Sequence, residues 1–270
     1  MPLEVERAWV EFGGGLLGGP SKAALRGVDL RLAPDAPEIL AVVGESGSGK
    51  TTLTRLLLGL LAPTRGRVLW QGNDLATLDA AARREFRRSV QAVFQDPFGA
   101  YNPAYRVDRM LVLPARRFGL AANEAEARTL AEAALSAVGL RPAETLGRFP
   151  HQLSGGQRQR LMVARAVMLR PRVLIADEPV SMVDASLRAT ILESLWRLRR
   201  EAGLSLVYVT HDLTTAWQIA DRVMVMRDGE VVESGDAERV IQTPTHAYTR
   251  ELVAAVPPPD PTIDWGLEAP

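Results

Sequence analysis

The chain has 270 residues, 47% of them hydrophobic, 24% charged and 6% aromatic, which is enough apolar material for a sizeable core and excludes a disordered or low-complexity protein. Its 32 basic and 32 acidic side chains cancel, which argues against the broad positive field of a general DNA or RNA binder, so no nucleic-acid partner is expected. With no cysteine and three histidines it builds no disulfide scaffold, thiolate zinc site or cysteine nucleophile, and any metal must ride on oxygen ligands.

No apolar run approaches the length needed to cross a bilayer, and the acidic, Trp-containing N-terminus lacks a signal-peptide pattern, so a soluble, cytoplasmic chain is expected. A β-branched apolar run at 39–43 leads into Gly44, and apolar residues then recur at helical spacing over 50–61 until Pro63 stops them. That predicts a strand, a glycine loop and a helix. Strands are predicted at 68–70 and 90–94, separated by a turn at Gly72, Asn73 and Asp74 and by a charged helix over about 80–88. Beyond Gln95 the chain turns to loop, with Pro97, Gly99, Asn102, Pro103 and Pro114. An amphipathic helix over 124–138 follows, opened by an Asn123/Glu126 capping pair and closed by Gly139. Alternation resumes with a strand at 173–176, a helix over about 186–201, a strand at 205–209, a helix after His211, a strand at 223–226 and, past Gly229, a last strand at 231–232. A parallel-sheet α/β core interrupted by an α-helical lobe is the simplest architecture, and Pro257, Pro258 and Pro259 open an extended tail.

Lys22 and Lys50 are the only lysines, and Lys50 closes a glycine-rich loop. Gly44-Glu45-Ser46-Gly47-Ser48-Gly49-Lys50-Thr51 fits the phosphate-loop pattern, and it lies between a predicted strand and a predicted helix. Its glycines let backbone N–H groups turn toward phosphate oxygens, Lys50 neutralises the β- and γ-phosphates, and the Thr51 hydroxyl can ligate Mg²⁺. The strand at 173–176 runs into Asp177 and Glu178 before Pro179. Asp177 is suited to hold Mg²⁺ through water, and Glu178 to accept a proton from, or orient, the water that attacks the γ-phosphorus. Without the phosphate loop, such a pair is more often a helix cap or a solvated turn. Leu153-Ser154-Gly155-Gly156-Gln157 opens a helical stretch over 158–169, with Ser154 and Gln157 at capping-box spacing. Two glycines in a first helical turn cost stability unless something approaches that backbone closely, and bare N–H groups there suit an anion.

These residues resemble, over nearly the whole chain, the ATP-binding subunit of an ATP-binding-cassette transporter. Residues 44–51, with Thr52 beside them, correspond to the family's Walker A, Leu153 to Gln157 to its signature motif, and Asp177 with Glu178 to its Walker B. Gln95 corresponds to the Q-loop glutamine, Ser181-Met182-Val183-Asp184 to the D-loop and His211 to the switch histidine. Thr51-Thr52 stands where serine-threonine is frequent in the family, and Met182-Val183 where alanine-leucine is frequent. The resemblance implies a P-loop NTPase (RecA-like) α/β core with a mostly parallel sheet, an N-terminal antiparallel β portion and an inserted α-helical subdomain. The ATPase domain would then span 1–256, with its core at about 1–95 and 171–235, its helical subdomain at about 96–170, and a tail at 257–270. It also implies that two cassettes sandwich two ATP molecules, the phosphate loop of one and Ser154, Gly155, Gly156 and Gln157 of the other gripping the same γ-phosphate, with Asp184 at the nucleotide too. Glu178, His211 and Gln95 would be the catalytic groups: His211 would hydrogen-bond the γ-phosphate, and Gln95 would help ligate Mg²⁺ beside Thr51 and Asp177. Phe12 is the candidate to stack on adenine, with Trp9, or a core role for Phe12, left open by the glycines at 13–19.

Finer features resemble the oligopeptide/dipeptide/nickel import branch: Phe94-Gln95-Asp96-Pro97 followed by Asn102-Pro103, the segment 181–186, and His246-Ala247-Tyr248-Thr249. That branch implies a second homologous cassette, as homodimer or heterodimer, transmembrane permease subunits, an extracytoplasmic solute-binding protein, and a peripheral place on the cytoplasmic face of the cell membrane. Peptides are then the first expectation for cargo, with nickel or oligosaccharides as alternatives, and the region 96–117 would pass movement to the membrane subunit. A cassette ATPase of DNA repair or translation shares every nucleotide motif and is the rival reading; a nucleotide kinase is opposed by the signature motif. The run Arg83-Arg84-Glu85-Phe86-Arg87-Arg88 reads as a solvated helix face.

Overall fold

The computed structural model describes residues 3–13, 21–32, 36–96, 99, 101–181 and 185–255; Asp184 and the tail at 257–270 lie outside the described residues. The strands β1 (Leu3–Phe12) and β2 (Lys22–Arg31) pair antiparallel, β1 turning Leu3, Val5, Ala8 and Val10 inward. Next come β3 (Ile39–Val43), the glycine loop and α1 (Lys50–Leu57). The predicted helix over 50–61 stops early because the N–H groups of Gly59 and Leu60 bond back to the carbonyls of Leu56 and Arg55, which closes its last turn. Strand β4 (Arg65–Trp70), the short β5 (Asn73–Asp74), α2 (Ala80–Ser89) and β6 (Val90–Val93) follow. On α2 the flanking Arg84 and Arg87 are exposed, while Phe86 is buried edge-on to Trp70, with ring centroids 5.7 Å apart.

Helices fill the stretch after Gln95: α3 (Asp108–Arg117), α4 (Glu124–Ala137), α5 (Pro142–Thr145) and α6 (Gly155–Met168). Helix α3 lies where the proline-rich sequence predicts loop. Burial of Val107, Leu111 and Ala115 outweighs the hydrogen bond that Pro114 cannot donate. Then come β7 (Val173–Asp177), α7 (Ala185–Ala202), β8 (Ser205–Thr210), α8 (Leu213–Ile219), β9 (Arg222–Arg227), β10 (Glu230–Asp236), α9 (Ala237–Gln242) and α10 (Ala247–Ala254). The last strand runs well beyond 231–232, because pairing with β9 carries the polar Glu233 and Ser234 along an edge whose outer face needs no apolar residues.

Two sheets result. The smaller is antiparallel in the order β2-β1-β4-β5, and the larger runs β10-β9-β3-β8-β7-β6, parallel except for β10. Strand β3 is buried on both faces, as a central parallel strand must be: Ile39, Ala41 and Val43 join the core shared with the helical segment, while Leu40 and Val42 join the core shared with α1 and the antiparallel sheet. Because β3, β8, β7 and β6 are parallel neighbours, the residues that follow them, Gly44, His211, Glu178 and Phe94-Gln95, emerge at one edge.

The C-terminal helices are tied to the sheet by Glu233, whose carboxylate accepts the Thr245 N–H (2.8 Å), the Thr245 hydroxyl (2.7 Å) and the His246 N–H (3.0 Å). Burial pushes this carboxyl up, but hydrogen bonding at its oxygens, with the Thr249 hydroxyl nearby, outweighs it and brings the pKa down from 4.5 to about 2. A folded pKa below the unfolded one means stability that is complete above about pH 4.5 and disappears as pH falls toward 2. Glu233→Gln should therefore melt below the wild type at neutral pH, with the difference closing between about pH 5 and pH 2. Thermal melts in that range check this; parallel profiles for the two proteins would contradict it.

Candidate functional site

The loop after β3 wraps the Lys50 ammonium. Its Nζ donates to the carbonyls of Gly44 (2.6 Å) and Glu45 (2.7 Å), and the residue is only 7% exposed. Burial lowers the Lys50 pKa, while Glu178, Asp177 and Glu45 pull it up. Gly49 has φ 107°, and a Cβ there would stand 2.7 Å from the Ala24 carbonyl oxygen, so the loop closes against β2 only with glycine at this point. At Gly47 (φ 84°) a Cβ would meet nothing within 4 Å. The loop is thus tight against the sheet on one side and open on the other.

On the open side lies a cavity of about 920 Å³. It is lined by Gly44, Glu45, Ser46, Gly47, Gly49, Lys50, Thr51 and Thr52, by Gln95, Asp177, Glu178 and His211, and by Phe12. Ser48 is buried behind the loop, its carbonyl accepting the Gly229 N–H, and does not line the cavity. Phe12, at the end of β1, is 47% exposed, whereas Trp9 is absent from the lining and carries the Arg65 guanidinium 4.5 Å from its ring centroid.

Opposite the loop, β7 delivers two carboxylates in sequence. Asp177 is buried, and its pKa is raised first by that burial and then by Glu178, with Lys50 and Arg55 opposing. Glu178 has φ 46°, a left-handed conformation unusual for a side chain of its size, at a cost of about 1–3 kcal/mol. Its N–H donates to the Val209 carbonyl (2.8 Å) and its carbonyl accepts the Ser181 N–H (3.2 Å) and hydroxyl (3.0 Å), which holds the conformation. The carboxylate stands between two donors: Gln95 Nε2 reaches Oε2 at 3.0 Å and His211 Nδ1 reaches Oε1 at 2.9 Å. A caged ammonium and a carboxylate held on both oxygens thus line one cavity. Such a pocket accommodates a polyphosphate and a water molecule positioned for attack.

Ser154 caps α6: its hydroxyl accepts the Gln157 N–H (3.2 Å) and Gln157 Oε1 accepts the Ser154 N–H (2.9 Å). None of Ser154, Gly155, Gly156 and Gln157 lines the cavity. Asp184 lies outside the described residues. Sequence reasoning had assigned no role in the site to Lys22, Asp228, Gly229 and Leu252, all of which line the cavity, or to Tyr248, whose hydroxyl oxygen accepts the Glu45 N–H. For Lys22 the available signal was lysine scarcity, since both lysines of the chain line this cavity.

The ABC transporter family matches residues 25–181, and the oligopeptide/dipeptide transporter C-terminal region matches 232–270. The oligopeptide transport ATP-binding protein OppF of Salmonella typhimurium (strain LT2) is 42% identical over 241 residues, covering 89% of this chain and 71% of that protein. The glutathione import ATP-binding protein GsiA of Salmonella choleraesuis is 44% identical over 225 residues, covering 83% of this chain but only 36% of its own length. Among solved structures, the dimeric post-hydrolysis state of the cassette MJ0796 bound to ADP and Pi superimposes with a TM-score of 0.78 at 28% identity, over 88% of this chain and 99% of that one. CbiO1 from Clostridium perfringens, part of the transporter complex cbiONQ, does so at 0.74 and 27% identity, over 89% and 90%.

The loop geometry makes a stability prediction. Gly49→Ala and Gly47→Ala both force a Cβ into left-handed backbone, but only the first also meets a carbonyl oxygen. Gly47→Ala should cost about 1 kcal/mol and Gly49→Ala clearly more, about 2–3 kcal/mol or above. Calorimetric melting of the two variants tests the order, and equal destabilisation would contradict it.

Proposed function

The chain belongs to the ABC transporter family, and we propose that it is the ATP-hydrolysing subunit that powers import of small solutes, peptides first among them, through a membrane complex. The observation that carries this is the meeting of Lys50 and Glu178 across one cavity: phosphate anchor and proton acceptor face the same space. The match to the oligopeptide/dipeptide C-terminal region, with an oligopeptide transport protein and a glutathione import protein among the relatives, favours this over a cassette ATPase of DNA repair or translation.

In this reading ATP enters with its adenine against Phe12 and its phosphates over the loop formed by Gly44 to Thr52. Lys50 gives up the carbonyls of Gly44 and Glu45 for β- and γ-phosphate oxygens, a stronger, charge-assisted pairing. Mg²⁺ fits the donors at hand, the Thr51 hydroxyl, the Gln95 amide oxygen and, through water, the Asp177 carboxylate, an all-oxygen set of the kind that hard cation takes. When bound, it neutralises charge on the β- and γ-phosphates. Glu178 accepts a proton from, or orients, the water that attacks the γ-phosphorus, ADP leaving as phosphate forms. His211 holds that carboxylate, and the geometry of the attacking water, against the γ-phosphate.

The turn at Ser154, Gly155, Gly156 and Gln157, which does not line this chain's own cavity, serves the nucleotide of a second cassette, a further copy or a homologue, and Asp184 contacts the nucleotide near it. Hydrolysis reopens the sandwich, and residues 96–117 pass that movement to a permease subunit. No described helix is long and apolar enough to cross a membrane. As a transporter subunit the chain would sit on the cytoplasmic face, held by the permeases, with an extracytoplasmic solute-binding protein delivering the cargo.

Glu178→Gln should bind ATP, hold a closed two-cassette assembly and lower steady-state hydrolysis by about 10²-fold or more. Lys50→Ala should lose nucleotide affinity. Phosphate release and size-exclusion measurements with ATP decide both, and normal turnover in Glu178→Gln would remove the proposed role. Uptake of labelled peptide by the complex reconstituted in vesicles tests the cargo class.

A further inference from the structure

The C-terminal helix α10 touches the phosphate loop from behind. Tyr248 is 2% exposed, and its hydroxyl oxygen accepts the Glu45 N–H at 3.0 Å across 203 residues of sequence. The ring is held by the Arg227 guanidinium 4.6 Å from its centroid, and the start of α10 by His246, whose Nδ1 accepts the Tyr248 N–H at 3.2 Å. Glu233 secures the two residues at 245 and 246, as described above. One turn further along α10, Leu252 lines the cavity itself.

The Glu45 N–H and the Gly44 carbonyl belong to one peptide plane. Its oxygen edge accepts the Lys50 ammonium at 2.6 Å and its N–H edge donates to Tyr248. A trans peptide points these groups in opposite directions, so the plane is pinned from both sides. When Lys50 leaves the Gly44 carbonyl for a phosphate, one pin goes and the other remains.

We infer that Tyr248 is a positioning residue of the phosphate loop, its hydroxyl holding the Gly44–Glu45 peptide in place while Lys50 exchanges loop carbonyls for phosphate oxygens. The inference rests on the reading of Lys50 given above. It makes the C-terminal region part of the nucleotide site's support, a role no spacing in the sequence announces.

The test compares the full chain with Tyr248→Phe, which keeps the ring and removes only the hydroxyl. In the nucleotide-free proteins, the Glu45 amide should exchange its hydrogen about five-fold faster in the variant, the effect of losing one ordinary hydrogen bond, while amides of β7 and β8 exchange as before. KM for ATP should rise by about the same factor, with kcat changed less than about two-fold. Unchanged exchange at Glu45 overturns the hold on the loop. Faster exchange with unchanged KM overturns its importance for the Lys50 transfer. A wild-type chain with no affinity for ATP overturns the functional reading instead, and the exchange comparison then still decides whether Tyr248 restrains the peptide.

Discussion

Parallel pairing of β3 with β8, and of β8 with β7 and β7 with β6, is the constraint on which the rest of the molecule depends. Each ladder is in register over the whole of the shorter strand, so the strands stop together and their continuations share one rim. Residues distant in sequence, Gly44, Gln95, Glu178 and His211, are neighbours for that reason alone. The alternating sides of β3 then bind both cores to this rim, and a slip of one residue would exchange Leu40 and Val42 with Ile39, Ala41 and Val43 and move every continuing loop.

Within the rim, two charged groups of opposite sign are buried. Lys50 is buried with carbonyls for company, and Asp177 is buried beside a second carboxylate. Burial disfavours the charged form of each, and the two oppose that shift in one another. Gln95 and His211 meanwhile occupy both oxygens of Glu178. Lys50 and Glu178 are thus partnered within the chain.

Much of this was legible in the sequence because it rests on local rules. The β-branched run before Gly44, the capping pair Asn123 and Glu126, and the strand ending in Asp177 and Glu178 each follow from propensity and spacing, and the structure contains those elements. The α/β fold with a mostly parallel sheet and an antiparallel N-terminal part agrees with the neighbouring cassettes. What escaped had non-local causes. Helix α3 forms over a proline because distant apolar surface covers Leu111 and Ala115, and β10 extends through polar residues because β9 is beside it. Lys22 and Leu252 reach the cavity only through the sheet packing and the docking of α10, which no periodicity encodes. Tyr248 was visible as part of a motif, but its contact with Glu45 was not.

The backbone at residue 178 carries a further implication. A φ of 46° suits glycine or asparagine and penalises glutamate, so folding by itself favours a different residue there. Arg7, Gln71, Arg170 and Asp228 also hold a positive φ, but at Glu178 the conformation coincides with the role proposed for its carboxylate, which would account for keeping an acid there. Replacement by glycine would relax the chain at the cost of its carboxylate, and under the proposed role it would exchange activity for durability.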